Sequence, residues 1–286
     1  MDMKNISVIK KTALFAAVLS CVFTTANISA QENPAKAPVT VSAPEAGKQV
    51  AQTCKKEITK DVSLDYLLFL PQSYTKADDT KFPVLIFLHG VGERGASIND
   101  LNIVKTHGPA KLVEKDPNFP FIVVSPQCPI TSWWADDMDP LNALLDHILA
   151  TIPNADPDRV YLTGLSMGGA GTFSWAMRNP ERFAAAAPVC GCGEYRHYYG
   201  LNHEKMTALR NLPFWFFHGE SDTVIPPERS KDPADGLKSV GVREVKRTTY
   251  PGVGHNSWEQ AYSDPELYKW FLSHDRKKNA LSAKNK

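Results

Sequence analysis

The segment around Ser166 constrains the fold more than any other part of the chain. The string Gly-Leu-Ser-Met-Gly at residues 164–168 follows the apolar run at 159–163, and helix-like residues at 170–178 come after it. A serine with this glycine spacing between a strand and a helix lies on a sharp, exposed turn, because side chains at the glycine positions would collide with neighbouring strands. The string therefore predicts a strand, a tight turn and a helix, with the Ser166 hydroxyl at the end of the strand.

Apolar segments typical of strands alternate with helical stretches along the rest of the chain. Strands are predicted at residues 63–70, 83–88, 121–125, 160–165, 183–189, 214–217 and 243–250, and helices at 142–152, 170–178 and 265–273. Runs such as 83–88 are apolar throughout, which indicates strands covered on both faces. The alternation predicts an α/β fold with a mostly parallel sheet, whose ligands bind at the carboxyl ends of the strands.

The first thirty residues have the pattern of a signal peptide. Three lysines precede an apolar run at residues 12–23, which is too short to span a bilayer, and small residues follow. Cleavage is expected after Ala30 or Ala26, and the protein is expected to be exported to the periplasm or secreted. A retained anchor and lipidation at Cys21 are the two alternatives.

The remaining sequence divides into a linker, one domain and a tail. Residues 31–53 have no apolar periodicity and predict a flexible linker; residues 54–275 suffice for one large catalytic domain; residues 276–286 form a lysine-rich tail. The net charge is +1, and removal of residues 1–30 would leave about −1. This balance favours neither a nucleic-acid partner nor a stable membrane association, and it leaves the oligomeric state open.

Four cysteines follow the leader, namely Cys54, Cys128, Cys190 and Cys192. Export permits disulfides, and the three possible full pairings stay open. Cys190 and Cys192 are separated by one residue, a spacing that would strain a direct bridge. No second close pair of ligands accompanies them, so no metal site is expected. No organic cofactor is expected either.

A glycine-rich loop follows the strand at residues 83–88. Its His-Gly-x-Gly pattern, beginning at His89, predicts free backbone N–H groups that can bind a developing oxyanion, and the expected donors are the N–H groups of Val91 and Met167. His89 is expected to have a structural role. Glu93 and Arg94 either pair to brace the loop, or Arg94 meets a substrate.

An acid and a histidine follow two later strands. Asp222 comes after the strand at 214–217 and His255 after the strand at 243–250. A serine hydroxyl is a weak nucleophile that needs a base with a pKa near 7, and a carboxylate on the other ring nitrogen orients that base. We therefore predict that Ser166 attacks, His255 moves the proton and Asp222 orients His255, with Glu220 as the rival acid.

Residues 64–275 resemble the α/β-hydrolase superfamily. The resemblance is carried by the strings at residues 88–95, 125–129, 161–169, 217–222 and 254–258. The nearest branch contains compact, feruloyl-esterase-like enzymes and "predicted peptidases", related to prolyl oligopeptidase catalytic domains and dienelactone hydrolases. The resemblance implies an α/β-hydrolase fold with about eight strands, a triad of Ser166, Asp222 and His255, and oxyanion donors at Val91 and Met167. Cys192, where glycine is expected, and the Tyr- and His-rich insert at 194–206 depart from the pattern.

Aromatic residues are expected near the mouth of the site. Trp133, Trp134, Gln127 and Trp258 are the predicted substrate-binding residues, and Tyr195, Tyr198 and Tyr199 are further candidates. Aromatic faces stack on phenolic rings and on the apolar side of sugars. Core or loop packing is the alternative for Trp258 and for one of the paired tryptophans, and a structural role is the alternative for Gln127.

Together these features predict an exported serine esterase that acts through an acyl-enzyme. The expected substrates are short-chain or aromatic esters of the acetyl or feruloyl type, either small molecules or esters linked to polysaccharide. One alternative is a serine peptidase of the prolyl-oligopeptidase type. The other is a non-catalytic binding protein on a hydrolase scaffold.

Overall fold

A seven-stranded sheet lies at the centre of the protein. The computed structural model describes residues 60–74, 79–136, 138–193 and 200–281, so the predicted leader, the linker and Cys54 lie outside the described residues. The strands are β1 (Tyr66–Phe69), β2 (Phe82–Leu88), β3 (Ile122–Pro126), β4 (Ala155–Leu165), β5 (Ala185–Val189), β6 (Phe214–Gly219) and β7 (Val245–Tyr250). Their order is β1-β3-β2-β4-β5-β6-β7, and every pair is parallel except β1 with β3.

The sheet confirms the predicted fold class. Seven strands form in the described residues, where about eight were expected, and they are the seven segments whose apolar pattern predicts strands. The main difference in bounds is β4, which begins at Ala155 through a polar stretch. That stretch can enter the sheet because the Arg159 Nε atom donates to Asp156 Oδ2 at 2.7 Å, so both charged groups are paired.

Eight α-helices and three 3₁₀ segments connect the strands in the described residues. The helices are α1 (Gly108–Leu112), α2 (Asp139–Thr151), α3 (Met167–Arg178), α4 (His203–Asn211), α5 (Glu228–Ser239), α6 (Trp258–Ser263), α7 (Pro265–Ser273) and α8 (Arg276–Leu281); the 3₁₀ segments are Val91–Glu93, Ile98–Thr106 and Pro180–Arg182. Only α2, α3 and α7 were predicted. The pattern of α5 is hidden because Pro233 lies inside the helix and few of its residues are apolar.

Apolar side chains cover both faces of the sheet. Alternate residues of β2 point to opposite sides, so Ile86 lies in one apolar cluster with Trp175, and Phe87 lies in the other with Phe271. The central strands are therefore accessible to a ligand at their ends and not along their faces. Within the described residues, no helix combines the length and apolar composition needed to cross a membrane.

The last described helix, α8, packs on the domain. Arg276 Nη2 and Lys277 Nζ contact the two carboxylate oxygens of Asp158 at 2.8 Å and 2.5 Å, and Asn279 Nδ2 donates to the Ala184 carbonyl at 2.9 Å. The domain therefore continues past the predicted end at Asp275. The lysine-rich composition predicts an unpacked tail. Composition alone does not reveal that Arg276 and Lys277 pair with the distant Asp158.

Candidate active site

Ser166 lies on the turn between β4 and α3. Its φ of 53° and ψ of −116° lie in a region that residues other than glycine rarely adopt. The Ser166 N–H group donates to the Val189 carbonyl of β5 at 2.9 Å, which holds the turn against the neighbouring strand. The turn therefore directs the hydroxyl away from the sheet and places the first residue of α3, Met167, directly after it.

Gly168 makes this turn possible. A Cβ atom added there would lie 1.9 Å from the carbonyl oxygen of Leu88. We therefore expect Gly168→Ala to lower the free energy of unfolding by about 3 kcal/mol or more, as overpacking against rigid backbone does. Gly92→Ala is the matched control, because no atom lies within 4 Å of its added Cβ. Urea denaturation measures both, and equal midpoints for the two variants would contradict the steric argument.

Three side chains from separate loops form one chain of contacts. His255 Nε2 lies 2.9 Å from Ser166 Oγ, and His255 Nδ1 lies 2.7 Å from Asp222 Oδ2. The backbone N–H groups of Val224 and Ile225 each donate to Asp222 Oδ1 at 2.9 Å. The structure therefore brings together the three residues that the sequence analysis places in a triad.

The environment of Asp222 favours its ionised form. Burial alone would raise the pKa of this carboxyl group, but hydrogen bonds from His255, Ile225 and Val224 outweigh burial and hold the pKa below its ordinary value. Glu220, the rival acid, is exposed, and its carboxylate accepts only a long 3.4 Å hydrogen bond from the Gly252 N–H group. The geometry favours Asp222 as the partner of His255.

The loop after β2 lies beside Ser166. A Cβ atom added to Gly90 would lie 3.8 Å from the Cβ atom of Ser166, so the two backbones approach closely. Val91 begins the 3₁₀ turn of this loop and Met167 begins α3. The first N–H groups of a helix have no acceptor within it, so both predicted donors lie at positions whose N–H groups are not used by their own helix.

His89 fastens this loop to the rest of the protein. Its Nδ1 atom contacts the Gly90 carbonyl at 2.6 Å, its Nε2 atom accepts from the Cys128 N–H group at 2.9 Å, and its carbonyl accepts from Trp134 Nε1 at 3.0 Å. The two ring contacts require a neutral ring with the hydrogen on Nδ1. Burial lowers the pKa of His89 to about 4.

We expect His89 to make stability depend on pH. Its pKa is lower in the folded chain, so the unfolded chain binds the proton more readily, and stability falls as the pH drops from about 6.5 towards 4. Between pH 7 and pH 5 this residue should remove about 2 kcal/mol from the free energy of unfolding. His89→Gln should lose about that much less over the same interval, measured by urea denaturation. The control is His147→Gln, at an exposed position, and matching pH slopes for the two variants would contradict the argument.

Trp133 lies on an exposed rim next to the loop after β2. Half of its surface is exposed, and the Arg94 guanidinium lies 5.2 Å from its ring centre. Arg94 also donates to the Val91 carbonyl at 3.2 Å and to the Ser132 carbonyl at 3.3 Å. Arg94 therefore braces the loop against the Trp133 loop, and this bracing does not use Glu93.

Two of the predicted substrate-binding residues, Trp134 and Gln127, are buried and do not lie on the surface. Trp134 is 3% exposed and packs on the His89 ring at 5.1 Å, and the buried Gln127 amide donates to the carbonyls of Glu93 and Asp100. Trp258 is partly buried, with its ring centre 5.5 Å from that of His255. Tyr195, Tyr198 and Tyr199 lie outside the described residues. The sequence does not indicate which of two adjacent tryptophans is buried. Trp134 is the buried one because it contacts His89, which is distant in sequence.

The remaining cysteines and one further histidine complete the site region. Cys128, Cys190 and Cys192 are all free thiols, and Cys190 adopts a positive φ of 40°. No role was predicted for His218, which lies in β6 four residues before Asp222. The sequence signal for it was a histidine near the end of the strand whose following loop carries Asp222. Within the described ranges, no group of three or more His, Cys, Asp or Glu side chains could hold a metal ion.

The chain is similar in sequence and in fold to known proteins. A family model described as Phospholipase/Carboxylesterase matches residues 73–266. Acyl-protein thioesterase 1 of Gibberella zeae is 29% identical over 112 residues, which are 39% of this chain and 47% of that protein. Acyl-protein thioesterase 1 of Eremothecium gossypii is 26% identical over 212 residues, covering 66% of this chain and 87% of that protein. A solved structure of a thermostable esterase is 32% identical with a TM-score of 0.58, covering 75% of this chain and 60% of that one. This chain thus spans about half of the first relative.

Proposed function

Because the chain belongs to the phospholipase/carboxylesterase family of α/β-hydrolases, we propose that it hydrolyses carboxylic esters through an acyl-enzyme on Ser166. The observation that carries this proposal is the unbroken contact from Ser166 Oγ through the His255 ring to Asp222 Oδ2. Such a chain gives a serine hydroxyl an adjacent base and gives that base a fixed orientation.

Acylation takes place on Ser166. The Oγ atom attacks the ester carbonyl carbon while His255 Nε2 takes the hydroxyl proton, and Asp222 stabilises the imidazolium that forms. The N–H groups of Val91 and Met167 bind the carbonyl oxygen as it becomes negative, each contributing on the order of 3 kcal/mol. The bond to the alcohol oxygen then breaks, and His255 returns the proton to the departing alcohol.

Deacylation repeats these steps with water. The water oxygen attacks the acyl carbon and passes its proton to His255 Nε2. The Ser166 oxygen leaves with that proton, and the carboxylic acid is released. One histidine therefore acts as base and as acid in each half of the reaction, and the cycle uses no metal or organic cofactor.

Short or aromatic acyl groups are the proposed substrates. The exposed face of Trp133 can stack on a phenolic ring or on the apolar side of a sugar, and Arg94 links Trp133 to the loop that holds Val91. Val91 is itself 43% exposed, which supports an open rim that admits bulky alcohol groups. Both small-molecule esters and esters attached to polysaccharide fit such a rim.

The substrate proposal is tested with a panel of chromogenic and aromatic substrates. The wild type should hydrolyse p-nitrophenyl acetate and methyl ferulate faster than a dipeptide p-nitroanilide or an acyl thioester. Trp133→Ala should raise KM for methyl ferulate by roughly 2- to 10-fold, the value of one aromatic contact, and leave KM for ethyl acetate, an ester without a ring, unchanged. The control is Ile130→Ala, an exposed apolar residue near Trp133.

Each alternative has its own outcome in this panel. Faster cleavage of the anilide would favour a peptidase, and faster cleavage of the thioester would favour a thioesterase. Failure to react with a fluorophosphonate would favour a non-catalytic binding protein. Equal effects of Trp133→Ala and Ile130→Ala would remove Trp133 from the substrate surface.

We also propose that the protein is exported. The support is the lysine-rich start and the short apolar run within residues 1–30. Mass spectrometry of the protein recovered from a Gram-negative host should find an N-terminus near residue 27 or 31. An intact N-terminus would contradict cleavage, and a lipid attached to Cys21 would identify a lipoprotein.

A further inference from the structure

A second histidine, besides His255, contacts the triad acid. His218 lies in β6 and is fully buried. Its Nε2 atom is 3.1 Å from Asp222 Oδ2 and 2.9 Å from the carbonyl oxygen of Ile225, and its Nδ1 atom contacts Ser230 Oγ. The same carboxylate oxygen, Oδ2, is the one that faces His255 Nδ1.

These contacts determine where the His218 ring carries its hydrogen. A carboxylate and a carbonyl oxygen only accept hydrogen bonds, so Nε2 must be the protonated nitrogen. The Ser230 hydroxyl can then donate to Nδ1, which satisfies a neutral ring at both nitrogens. Ser230 belongs to α5 and is itself buried, so its hydroxyl holds the Nδ1 side of the His218 ring in place.

Asp222 thus has a complete set of donors. Oδ1 accepts from the N–H groups of Val224 and Ile225, and Oδ2 accepts from the rings of His218 and His255. A carboxylate offers about four acceptor positions, so rotation of the Asp222 side chain would break several hydrogen bonds at once. Of these donors, only His255 is part of the proton-transfer chain.

We propose that His218 is a positioning residue that holds Asp222 for His255 by donating to Oδ2, the same carboxylate oxygen that His255 contacts. This inference rests on the proposed function, because it assigns His218 a role in the same reaction. Donation by His218 stabilises the Asp222 charge in both protonation states of His255. Loss of this donor would leave more of the Asp222 charge to the His255 imidazolium, so a variant without the donor is expected to hold the His255 proton to a higher pH than the wild type does.

The surroundings of the pair contain few other groups that could produce this effect. The Cys190 thiol lies near Asp222 and Ser257, and burial raises its pKa to about 12, so it stays neutral. The Trp258 ring lies against His255 and separates it from His107, which pairs with Glu259. Among the described residues that contact Asp222, His218 is therefore the titratable neighbour that can act on the Asp222–His255 pair.

Two substitutions separate positioning from packing. The Gln side chain places its amide near the position of His218 Nε2, so His218→Gln keeps a donor to Asp222. The Asn side chain is shorter and reaches only the position of Nδ1, so His218→Asn keeps the contact with Ser230 and loses the donor. Both variants are polar and smaller than histidine, so they disturb the core to a similar degree.

The test combines kinetics with histidine NMR on the full chain. For His218→Asn, kcat for p-nitrophenyl acetate should fall about 10-fold or more at unchanged KM, and the acidic limb of the pH profile should move up by about half a pH unit or more. The ¹⁵N-histidine spectrum without substrate should show the same rise in the His255 pKa. His218→Gln should restore most of both quantities.

Two results would overturn the proposal. In one, His218→Asn folds and keeps the wild-type kcat and His255 titration; in the other, His218→Gln is as impaired as His218→Asn although both fold. The NMR titration needs no substrate, so it decides the role of His218 even if the wild type proves inactive on every ester. Absence of ester turnover in the wild type would instead contradict the proposed function.

Discussion

Ser166→Ala is expected to lower kcat for p-nitrophenyl acetate by a factor on the order of 10⁵, because the proposed acyl-enzyme forms on the Ser166 Oγ atom. The substitution removes one oxygen atom and keeps the Cβ atom, so the turn with its φ of 53° is retained. The thermal midpoint should therefore stay within a few degrees of the wild type. Steady-state kinetics and fluorophosphonate labelling followed by mass spectrometry measure both effects.

The control for Ser166→Ala is Ser221→Ala. Ser221 is exposed and its backbone N–H donates to the Val253 carbonyl, a contact that alanine preserves. This variant should keep wild-type turnover and labelling. A Ser166→Ala protein that still reacts with the fluorophosphonate at the wild-type rate would show that another nucleophile does the chemistry.

Asp222→Asn is expected to lower kcat on the order of 10⁴-fold with little change in KM. The amide removes the negative charge that stabilises the His255 imidazolium, and its NH₂ group favours the wrong ring tautomer. Glu220→Gln changes the same chemical group two residues away, at an exposed position, and should alter kcat by less than twofold. The two variants thus separate the buried acid from its rival.

The pH dependence sharpens the comparison between Asp222 and Glu220. Asp222 has a pKa below its ordinary value, so it stays ionised throughout the range in which His255 acts as a base. Profiles of kcat/KM from pH 5 to pH 9 should therefore keep their shape in Glu220→Gln. A large loss in Glu220→Gln with an active Asp222→Asn would transfer the role of the acid to Glu220.

The local part of the site was predictable from the sequence. The turn at Ser166 depends on glycines within a few residues, and Gly168 is required because its α-carbon faces the Leu88 carbonyl. Asp222 and His255 could be placed near Ser166 because parallel strands bring their carboxyl ends to one edge of the sheet. These inferences need only short-range sterics and one topological rule.

The remaining features depend on contacts between distant segments. Nothing in the sequence distinguishes Trp133 from Trp134, because the difference is a hydrogen bond from Trp134 to a residue 45 positions away. The packing of α8 depends on Asp158, more than a hundred residues earlier in the chain. The position of His218 beside Asp222 depends on the direction of a side chain in a strand that is buried on both faces.

The covered faces of the sheet have a consequence for adapting this protein. Exposed positions beyond the strand ends, such as Ile130 and Trp133, contribute little of the apolar interior, whereas Trp134 and nearly every residue of β2 and β5 belong to it. Substitutions at such exposed positions, with Trp134 unchanged, should therefore redirect which acids and alcohols are accepted while the scaffold keeps its resistance to denaturants. A library confined to such positions would explore selectivity at small cost in folding yield.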